Sequence, residues 1–184
     1  MRVDAILDRG PDNVGHVDYG PVEFFHTRLA VIDQKQTSNQ PIASEDGQLA
    51  MMCNGEIYNH LSLRKGSAYR YGTSSDCEAV LAVYSRTGVR GFRDLDGMYA
   101  TAIYDAREQV LILHRDGIGK KPLFWYIDSE RVIFSSNVHA ITSNLRQAPK
   151  LDLDQVQHYF RNGFVHPKHS IYRSIQPVLP GEII

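Results

Sequence analysis

Residues 97–114, GMYATAIYDAREQVLILH, predict two strands of a sheet more clearly than any other part of the chain. The run from Gly97 to Asp105 alternates and is rich in small apolar and aromatic residues, and the run from Gln109 to His114 follows after a short polar turn. Two such runs joined by a turn are typical of an antiparallel β-hairpin. The same pattern recurs downstream, where Pro122 to Ile127 and Arg131 to Ser135 predict a second hairpin.

Three further strands are predicted ahead of this hairpin, over residues 22–26, 29–32 and 48–53, and the last of them ends at Asn54-Gly55. The chain therefore contains many short strands connected by turns. Such a pattern differs from the alternation of strand and helix that produces a parallel sheet. It predicts an α+β fold, with layered antiparallel sheets flanked by a few helices.

The helices have clear boundary signals. Ser75 and Glu78 have the spacing of a capping box, which predicts a helix that starts there and ends at Gly88. A second helix is predicted from about Asp152 to Gly163, and a short helical stretch over residues 137–144. The first helix places four residues on one face at helical spacing, namely Cys77, Val80, Leu81 and Tyr84.

Length and composition indicate one soluble globular domain of 184 residues. Lysine plus arginine total 20 and aspartate plus glutamate total 21, so no basic surface is expected and nucleic acid is excluded as a partner. No apolar run is long enough to span a bilayer, and the first residues lack the apolar core of a signal peptide. The two cysteines are too few for a disulfide scaffold, which favours a reducing, cytoplasmic setting.

Asn54-Gly55 allows two interpretations. Asn-Gly is a common tight hairpin turn. A side-chain amide beside a glycine N–H also provides the two fixed donors of an oxyanion hole, and the glycine lets the backbone approach a reacting carbonyl. The residues after Gly55 do not alternate as a returning strand would.

Arg28 and Asp76 are charged residues in places where a charge needs a partner. Arg28 follows an apolar run, so either an ion pair or a bidentate clamp on a substrate carboxylate is expected. Asp76 lies at a predicted helix start, where a carboxylate favours the positive end of the helix dipole. Asp76 is also suited to hold a substrate ammonium, and the two residues together would bind both charges of a free amino acid.

The loop His114 to Leu123 combines glycines with mixed charge between two predicted strands. We interpret it as a solvated turn. It lacks the spacing of a phosphate-binding loop.

Taken in order, these segments resemble the class II glutamine amidotransferase domain of asparagine synthetase. The similarity covers nearly the whole chain, up to Leu179-Pro180-Gly181. The motifs are Arg9-Gly10-Pro11-Asp12, His26-x-Arg28-Leu29-x-x-Ile32-Asp33, Gln40-Pro41, Asn54-Gly55-Glu56-Ile57-Tyr58-Asn59, Ser75-Asp76-x-Glu78, Leu95-x-Gly97-Met98-Tyr99-Ala100, Arg115-Asp116-x-x-Gly119-x-Lys121-Pro122-Leu123 and Phe134-x-Ser136.

The resemblance implies an N-terminal-nucleophile hydrolase fold, a four-layer αββα sandwich, and glutamine-derived ammonia for asparagine biosynthesis or a related pathway. Arg28 would then hold the α-carboxylate of L-glutamine and Asp76 its α-ammonium. Asn54 and Gly55 would form the oxyanion hole, and Glu56 would line the pocket. The backbone of Leu29, Ala30, Val31 and Ile32 would form a wall.

The chain departs from this family at its start. The family begins Met-Cys-Gly-Ile and uses the cysteine as its nucleophile, whereas position 2 here is Arg2. Cys53 and Cys77 fit small core residues better. We therefore expect residues 1–184 to be an amidotransferase domain that lacks the first strand, most of the first helix and the synthetase domain. ATP and magnesium belong to that synthetase domain, so no cofactor and no metal site are expected in this chain.

Two consequences follow for function and assembly. An unpaired sheet edge favours self-association into a homo-oligomer, or pairing with a synthetase domain or chain. Three hypotheses for function stay open: a glutaminase whose start is misassigned or trimmed, a module that binds glutamine or supports a synthetase without hydrolysis, and a fragment of a broken gene. As written, the chain is expected not to hydrolyse glutamine.

Overall fold

The computed structural model describes residues 4–8, 10–29 and 38–184, and the bounds below refer to these residues. The helices are α1 Asp4–Leu7, α2 His60–Arg64, α3 Glu78–Thr87, α4 Val138–Thr142 and α5 Leu153–Asn162, and a 3-10 helix spans Gly88–Asp94. The strands are β1 Asn13–Asp18, β2 Glu23–Arg28, β3 Ile42–Ala43, β4 Leu49–Ile57, β5 Gly97–Asp105, β6 Val110–Arg115, β7 Phe124–Ile127, β8 Val132–Ser135 and β9 Ile175–Pro177.

The strands form three antiparallel sheets. β1 pairs with β2, the order β3-β4-β5-β6 forms a four-stranded sheet, and the order β8-β7-β9 forms a three-stranded sheet. Both predicted hairpins are present, as β5-β6 and β7-β8. The predicted combination of helices with antiparallel sheets is confirmed.

Alternation along β4 places one side of the four-stranded sheet against α3 and the other against the three-stranded sheet. Met51, Cys53 and Ile57 belong to the core cluster that contains the buried side chains of α3. Ala50 belongs to a second cluster that includes Leu123 and Val178, beside β7 and β9. A third cluster packs α4 on the outer side of β7, β8 and β9. The sequence of layers from α3 to α4 is thus helix, sheet, sheet, helix.

The prediction that the third strand ends at Cys53 is wrong, and so is the hairpin-turn interpretation of Asn54-Gly55. β4 continues to Ile57, and Asn54, Gly55 and Glu56 pair with residues of β5. Gly55 has a φ of 152°, and a Cβ at this position would lie 2.0 Å from the carbonyl oxygen of Met98. The glycine is therefore required by the close approach of β5 within the sheet.

The strand predicted over residues 29–32 is only partly described. β2 ends at Arg28, Leu29 follows it outside the strand, and Ala30, Val31 and Ile32 lie outside the described residues. Arg28 is accordingly the last residue of a strand.

The prediction of a capping box at Ser75 and Glu78 is also wrong. α3 begins at Glu78, two residues later than predicted, and its N-cap residue Cys77 makes no side-chain capping hydrogen bond. The reason is that the Glu78 carboxylate accepts hydrogen bonds from the preceding loop, from the backbone N–H groups of Gly72 and Thr73 and the Thr73 hydroxyl.

The other helix predictions are confirmed. Gly88 ends α3 with a positive φ. The Asp152 side chain caps α5, and Gly163 ends α5 in the left-handed region. All four residues of the predicted α3 stripe are buried.

Candidate functional site

Asp76 is held against the end of strand β4. Its Oδ2 accepts a hydrogen bond of 2.7 Å from the backbone N–H of Ile57, and the neighbouring Cys77 thiol lies 3.6 Å from the carbonyl oxygen of Gly55. Asp76 is buried, with 6% of its surface exposed. Among the described residues, no group donates a hydrogen bond to its Oδ1. One carboxylate oxygen thus fixes the residue, and the other faces no protein donor.

The loop that carries Asp76 is fixed from two sides. Arg64 donates to the carbonyl oxygens of Thr73 and Ser75, at 3.1 and 2.7 Å. Glu78 binds the same loop through its fully buried carboxylate, and it lies 3.8 Å from the Arg64 guanidinium. Glu78 therefore acts here as a support for Asp76, a role that its capping-box spacing did not indicate.

Arg28 is connected to the middle of β4 through residues 39 and 40. Its guanidinium donates to Asn39 Oδ1 at 2.7 Å. Gln40 then pairs with the backbone of Cys53, donating to its carbonyl at 2.8 Å and accepting from its N–H at 2.5 Å. Cys53 directly precedes Asn54, so these bonds bring the Arg28 segment next to the predicted oxyanion residues.

Gly10 explains part of the first motif. A Cβ on Gly10 would lie 2.3 Å from the backbone carbon of Thr27, and the N–H of Asp12 donates to the carbonyl of Arg28 at 3.0 Å. The segment that contains Gly10 and Asp12 therefore packs on the backbone that carries Arg28.

His26 is a half-buried neutral base beside this site. Burial lowers the pKa of His26 to about 4, a hydrogen bond to the Cys53 backbone opposes the shift, and the nearby positive charge of Arg28 adds to it. Its Nδ1 is buried without a hydrogen-bond partner. Sequence reasoning placed His26 in a motif but assigned it no role.

A cleft of about 960 Å³ separates the four-stranded sheet from the elements around β8. Its walls include His26, Thr27, Asn54, Thr101 and Ser136. Of the predicted glutamine contacts that the structure describes, Asn54 lines this cleft, whereas Arg28, Gly55, Glu56 and Asp76 do not. The cleft therefore brings Asn54 together with the residues that precede Arg28 in β2.

The remaining predicted glutamine contacts are Glu56 and residues 29–32. Glu56 is half-buried in β4, and its side chain makes no hydrogen bond or ion pair in the described part of the chain. Leu29 is 61% exposed. The wall predicted from Ala30, Val31 and Ile32 lies outside the described residues.

Neither cysteine is placed to act as a nucleophile. Cys53 and Cys77 are 2% and 4% exposed and belong to the core cluster. A hydrogen bond with Cys53, together with burial, raises the pKa of the Cys77 thiol well above its usual value. A raised pKa disfavours the thiolate, which is the reactive form. The interpretation of both as core residues is confirmed.

The interpretation of the loop after β6 as a solvated turn is wrong. Asp116 is 2% exposed and accepts hydrogen bonds from four backbone N–H groups, those of Tyr99, Ile118, Lys120 and Lys121. Arg115 donates to the carbonyl oxygens of Gly119, Lys121 and Val178 at 2.6 to 2.8 Å. Both charges hold the loop in shape.

Comparison with known families matches the description "Glutamine amidotransferase domain" over residues 1–184. The chain belongs to this glutamine amidotransferase family.

The curated relatives of this amidotransferase domain include glutamine-hydrolysing asparagine synthetases. The chain is 37% identical over 143 residues to asparagine synthetase [glutamine-hydrolyzing] 1 of Saccharomyces cerevisiae. This match covers 76% of this chain and 25% of that protein. It is 31% identical over 179 residues to asparagine synthetase [glutamine-hydrolyzing] 1 of Bacillus subtilis, covering 96% of this chain and 28% of that protein. The chain thus spans about a quarter of the length of these relatives.

Solved structures show the same fold at low sequence identity. The glutamine phosphoribosylpyrophosphate amidotransferase of B. subtilis, a complex with ADP and GMP, matches with a TM-score of 0.52 and 23% identity over 64% of this chain and 28% of that one. A structure described as the allosteric regulatory enzyme of purine biosynthesis matches with a TM-score of 0.54 and 20% identity, covering 86% and 31%.

The described residues contain neither a metal site nor a membrane-spanning helix. Within residues 4–8, 10–29 and 38–184, no three histidine, cysteine or acidic side chains are grouped so that they could hold a metal ion. None of the helices in that part of the chain is long and apolar enough to cross a membrane.

Proposed function

We propose that this domain binds free L-glutamine at the end of β4, as the glutamine-binding unit of an asparagine-synthetase-like system. Arg28 holds the α-carboxylate and Asp76 the α-ammonium of glutamine. Asn54 and Gly55 donate to the carboxamide oxygen, and Glu56 lines the pocket. In a complete system of this kind, ammonia from glutamine serves amide formation, as in asparagine biosynthesis, and this chain provides the glutamine-binding part.

The observation that supports this proposal best is the state of the Asp76 carboxylate. A buried carboxylate is costly unless its oxygens are satisfied. Asp76 uses Oδ2 to bind the strand that carries Asn54 and Gly55, and its Oδ1 has no donor within the described chain. An ammonium group would supply that donor, and it would do so next to the predicted oxyanion residues.

Hydrolysis needs a nucleophile in addition to binding groups. Both cysteines are buried in the core, and the thiol of Cys77 is disfavoured as a thiolate. We therefore propose that the chain of 184 residues binds glutamine without releasing ammonia. The alternative is a module without ligand that only supports a synthetase.

Calorimetric titration of the purified chain with L-glutamine tests the proposal. We expect saturable heat, and we expect Asp76→Asn to weaken binding by at least about tenfold, since a charge-assisted hydrogen bond contributes about 1.5–3 kcal/mol. Asp96→Asn is the matched control, because Asp96 is exposed and lies near the same end of the sheet. The control should bind like the unsubstituted chain.

The outcomes separate the alternatives. Absence of heat with a folded protein would leave only the supporting role. Equal affinity of the Asp76→Asn and Asp96→Asn variants would remove Asp76 from the site. Ammonia release above the rate in buffer would contradict the proposal that this chain does not hydrolyse glutamine.

A further inference from the structure

Most of the apolar side chains of helix α5 are exposed. Phe160 is 82% exposed and Leu153 is 60% exposed, and no residue of the helix is buried. Leu153, Gln157 and Phe160 have the spacing i, i+4, i+7, so they lie along one face. Tyr159 and, just past the helix, Phe164 extend the exposed apolar surface.

The inward side of the same helix carries Gln155, Val156 and His158, which are all half-buried. Among the described residues, the Gln155 Oε1 and His158 Nε2 atoms are enclosed without a hydrogen-bond partner. An amphipathic helix on a globular protein normally places its apolar stripe toward the core. Leu153 and Phe160 are instead exposed, which indicates that the outward face of α5 is suited to contact another surface.

The charges on this face are complementary to those of a second copy of the same helix. Asp154 and Arg161 are both exposed and neither takes part in an ion pair among the described residues. They are seven residues apart and therefore lie on the same flank of the outward face, near opposite ends of the helix. In an antiparallel pair related by a two-fold axis at Gln157, each Asp154 lies beside the Arg161 of the other copy.

The apolar residues fit the same register. With the axis at Gln157, Leu153 of one copy packs against Phe160 of the other, and the two Gln157 amides meet at the centre. A two-fold interface must be self-complementary in this way, since the same patch serves both subunits.

We propose that the outward face of α5 pairs antiparallel with α5 of a second copy of this chain. This interface is independent of the glutamine site. A helix of ten residues is about 15 Å long, which gives a small contact and hence a weak, concentration-dependent dimer.

Sedimentation equilibrium of the full chain between about 10 µM and 1 mM tests the proposal. We expect the weight-average mass to rise from 20.8 kDa towards twice that value. Phe160→Glu should keep the chain monomeric over this range, because it places two carboxylates in the apolar contact. Ile118→Glu is the matched control, since Ile118 is 87% exposed and lies outside α5; it should associate like the unsubstituted chain.

A charge exchange tests the register. Asp154→Arg and Arg161→Asp should each weaken association by at least about tenfold, and the double variant should restore it, because the reciprocal pairs are then rebuilt with reversed sign. All these side chains are exposed, so folding should be unchanged by circular dichroism.

Three results would overturn the proposal. The first is a monomer at the highest concentration, which would leave the face for a synthetase domain or for no partner. The second is a dimer that Phe160→Glu leaves intact. The third is a double variant no stronger than the single ones, which would exclude the antiparallel register.

Discussion

Two arginine–aspartate sets in this molecule look alike in the sequence and differ in the structure. Arg115 and Asp116 are neighbours in the chain, and between them they make seven hydrogen bonds to backbone groups of one loop and its surroundings. Arg28 and Asp76 come from separate elements. Asp76 binds one backbone N–H and, within the described part of the chain, retains an oxygen without a protein donor.

The difference lies in how completely each charge is satisfied. A buried carboxylate with four backbone donors has completed its hydrogen bonding, so its contribution is to the stability of the loop. A buried carboxylate with a single strong donor is fixed in place but still has capacity for a ligand. Saturation of hydrogen bonds therefore separates a structural charge from a candidate binding charge where the sequence alone does not.

The largest expected effect concerns Asp116. Asp116→Asn turns one acceptor oxygen into a donor that faces backbone N–H groups, and we expect it to lower the free energy of unfolding by about 4 kcal/mol. Urea denaturation measures this value. Asp76→Asn should lower it by only about 1 kcal/mol, because the amide oxygen can still accept from Ile57. Similar losses for the two variants would break the distinction between the two sets.

The pKa of Asp116 also reflects its hydrogen bonds to the backbone. Burial alone would raise this pKa, but the hydrogen bonds from the backbone N–H groups outweigh burial and lower it. Its stabilising contribution is therefore present above the unfolded pKa and is lost as the pH falls through the lower folded value.

The next effect concerns His26, which lies beside Arg28. Its pKa of about 4 in the folded protein lies below the ordinary 6.5, so the unfolded chain takes up the proton first and stability falls as pH decreases from about 6.5 to about 4. The full loss is on the order of 3 kcal/mol. His26→Gln should reduce the difference in unfolding free energy between pH 7 and pH 4.5, measured by urea denaturation.

His139→Gln is the control for this measurement, because His139 is exposed on α4. If His26→Gln and His139→Gln gave the same pH dependence as the unsubstituted chain, the half-buried neutral state of His26 would be refuted.

The smallest effect concerns the loop that supports Asp76. Thr73 Oγ1 donates to Glu78 at 2.7 Å and accepts from the N–H of Ser75 at 3.0 Å. Thr73→Val should cost about 1.5 kcal/mol, whereas Ser75→Ala should cost about 0.5 kcal/mol, since Ser75 does not cap α3. Thermal unfolding of the pair measures the difference. A larger loss of stability for Ser75→Ala than for Thr73→Val would indicate that Ser75 caps α3.

Much of the secondary structure was predictable because local signals and tertiary contacts agree. The hairpin β5-β6 has alternation and a polar turn in the sequence, and Asp152 and Gly163 mark both ends of α5. The failures share one cause. In each case, packing against another part of the chain overrides a local interpretation. Strand β5 does so at Gly55, and residues 72–73 do so at Glu78. The contact with Val178 does so at Arg115.

The sequence by itself determined the family and the set of charged and amide residues proposed to bind glutamine. These follow from residue identities at fixed spacings, which the sequence contains in full. Only the tertiary structure decided that Asp76 binds the N–H of Ile57, that Asn39 and Gln40 link Arg28 to Cys53 and that α5 exposes Leu153 and Phe160. Such facts depend on contacts between segments distant in the chain, because burial and hydrogen-bond saturation are properties of the packed molecule.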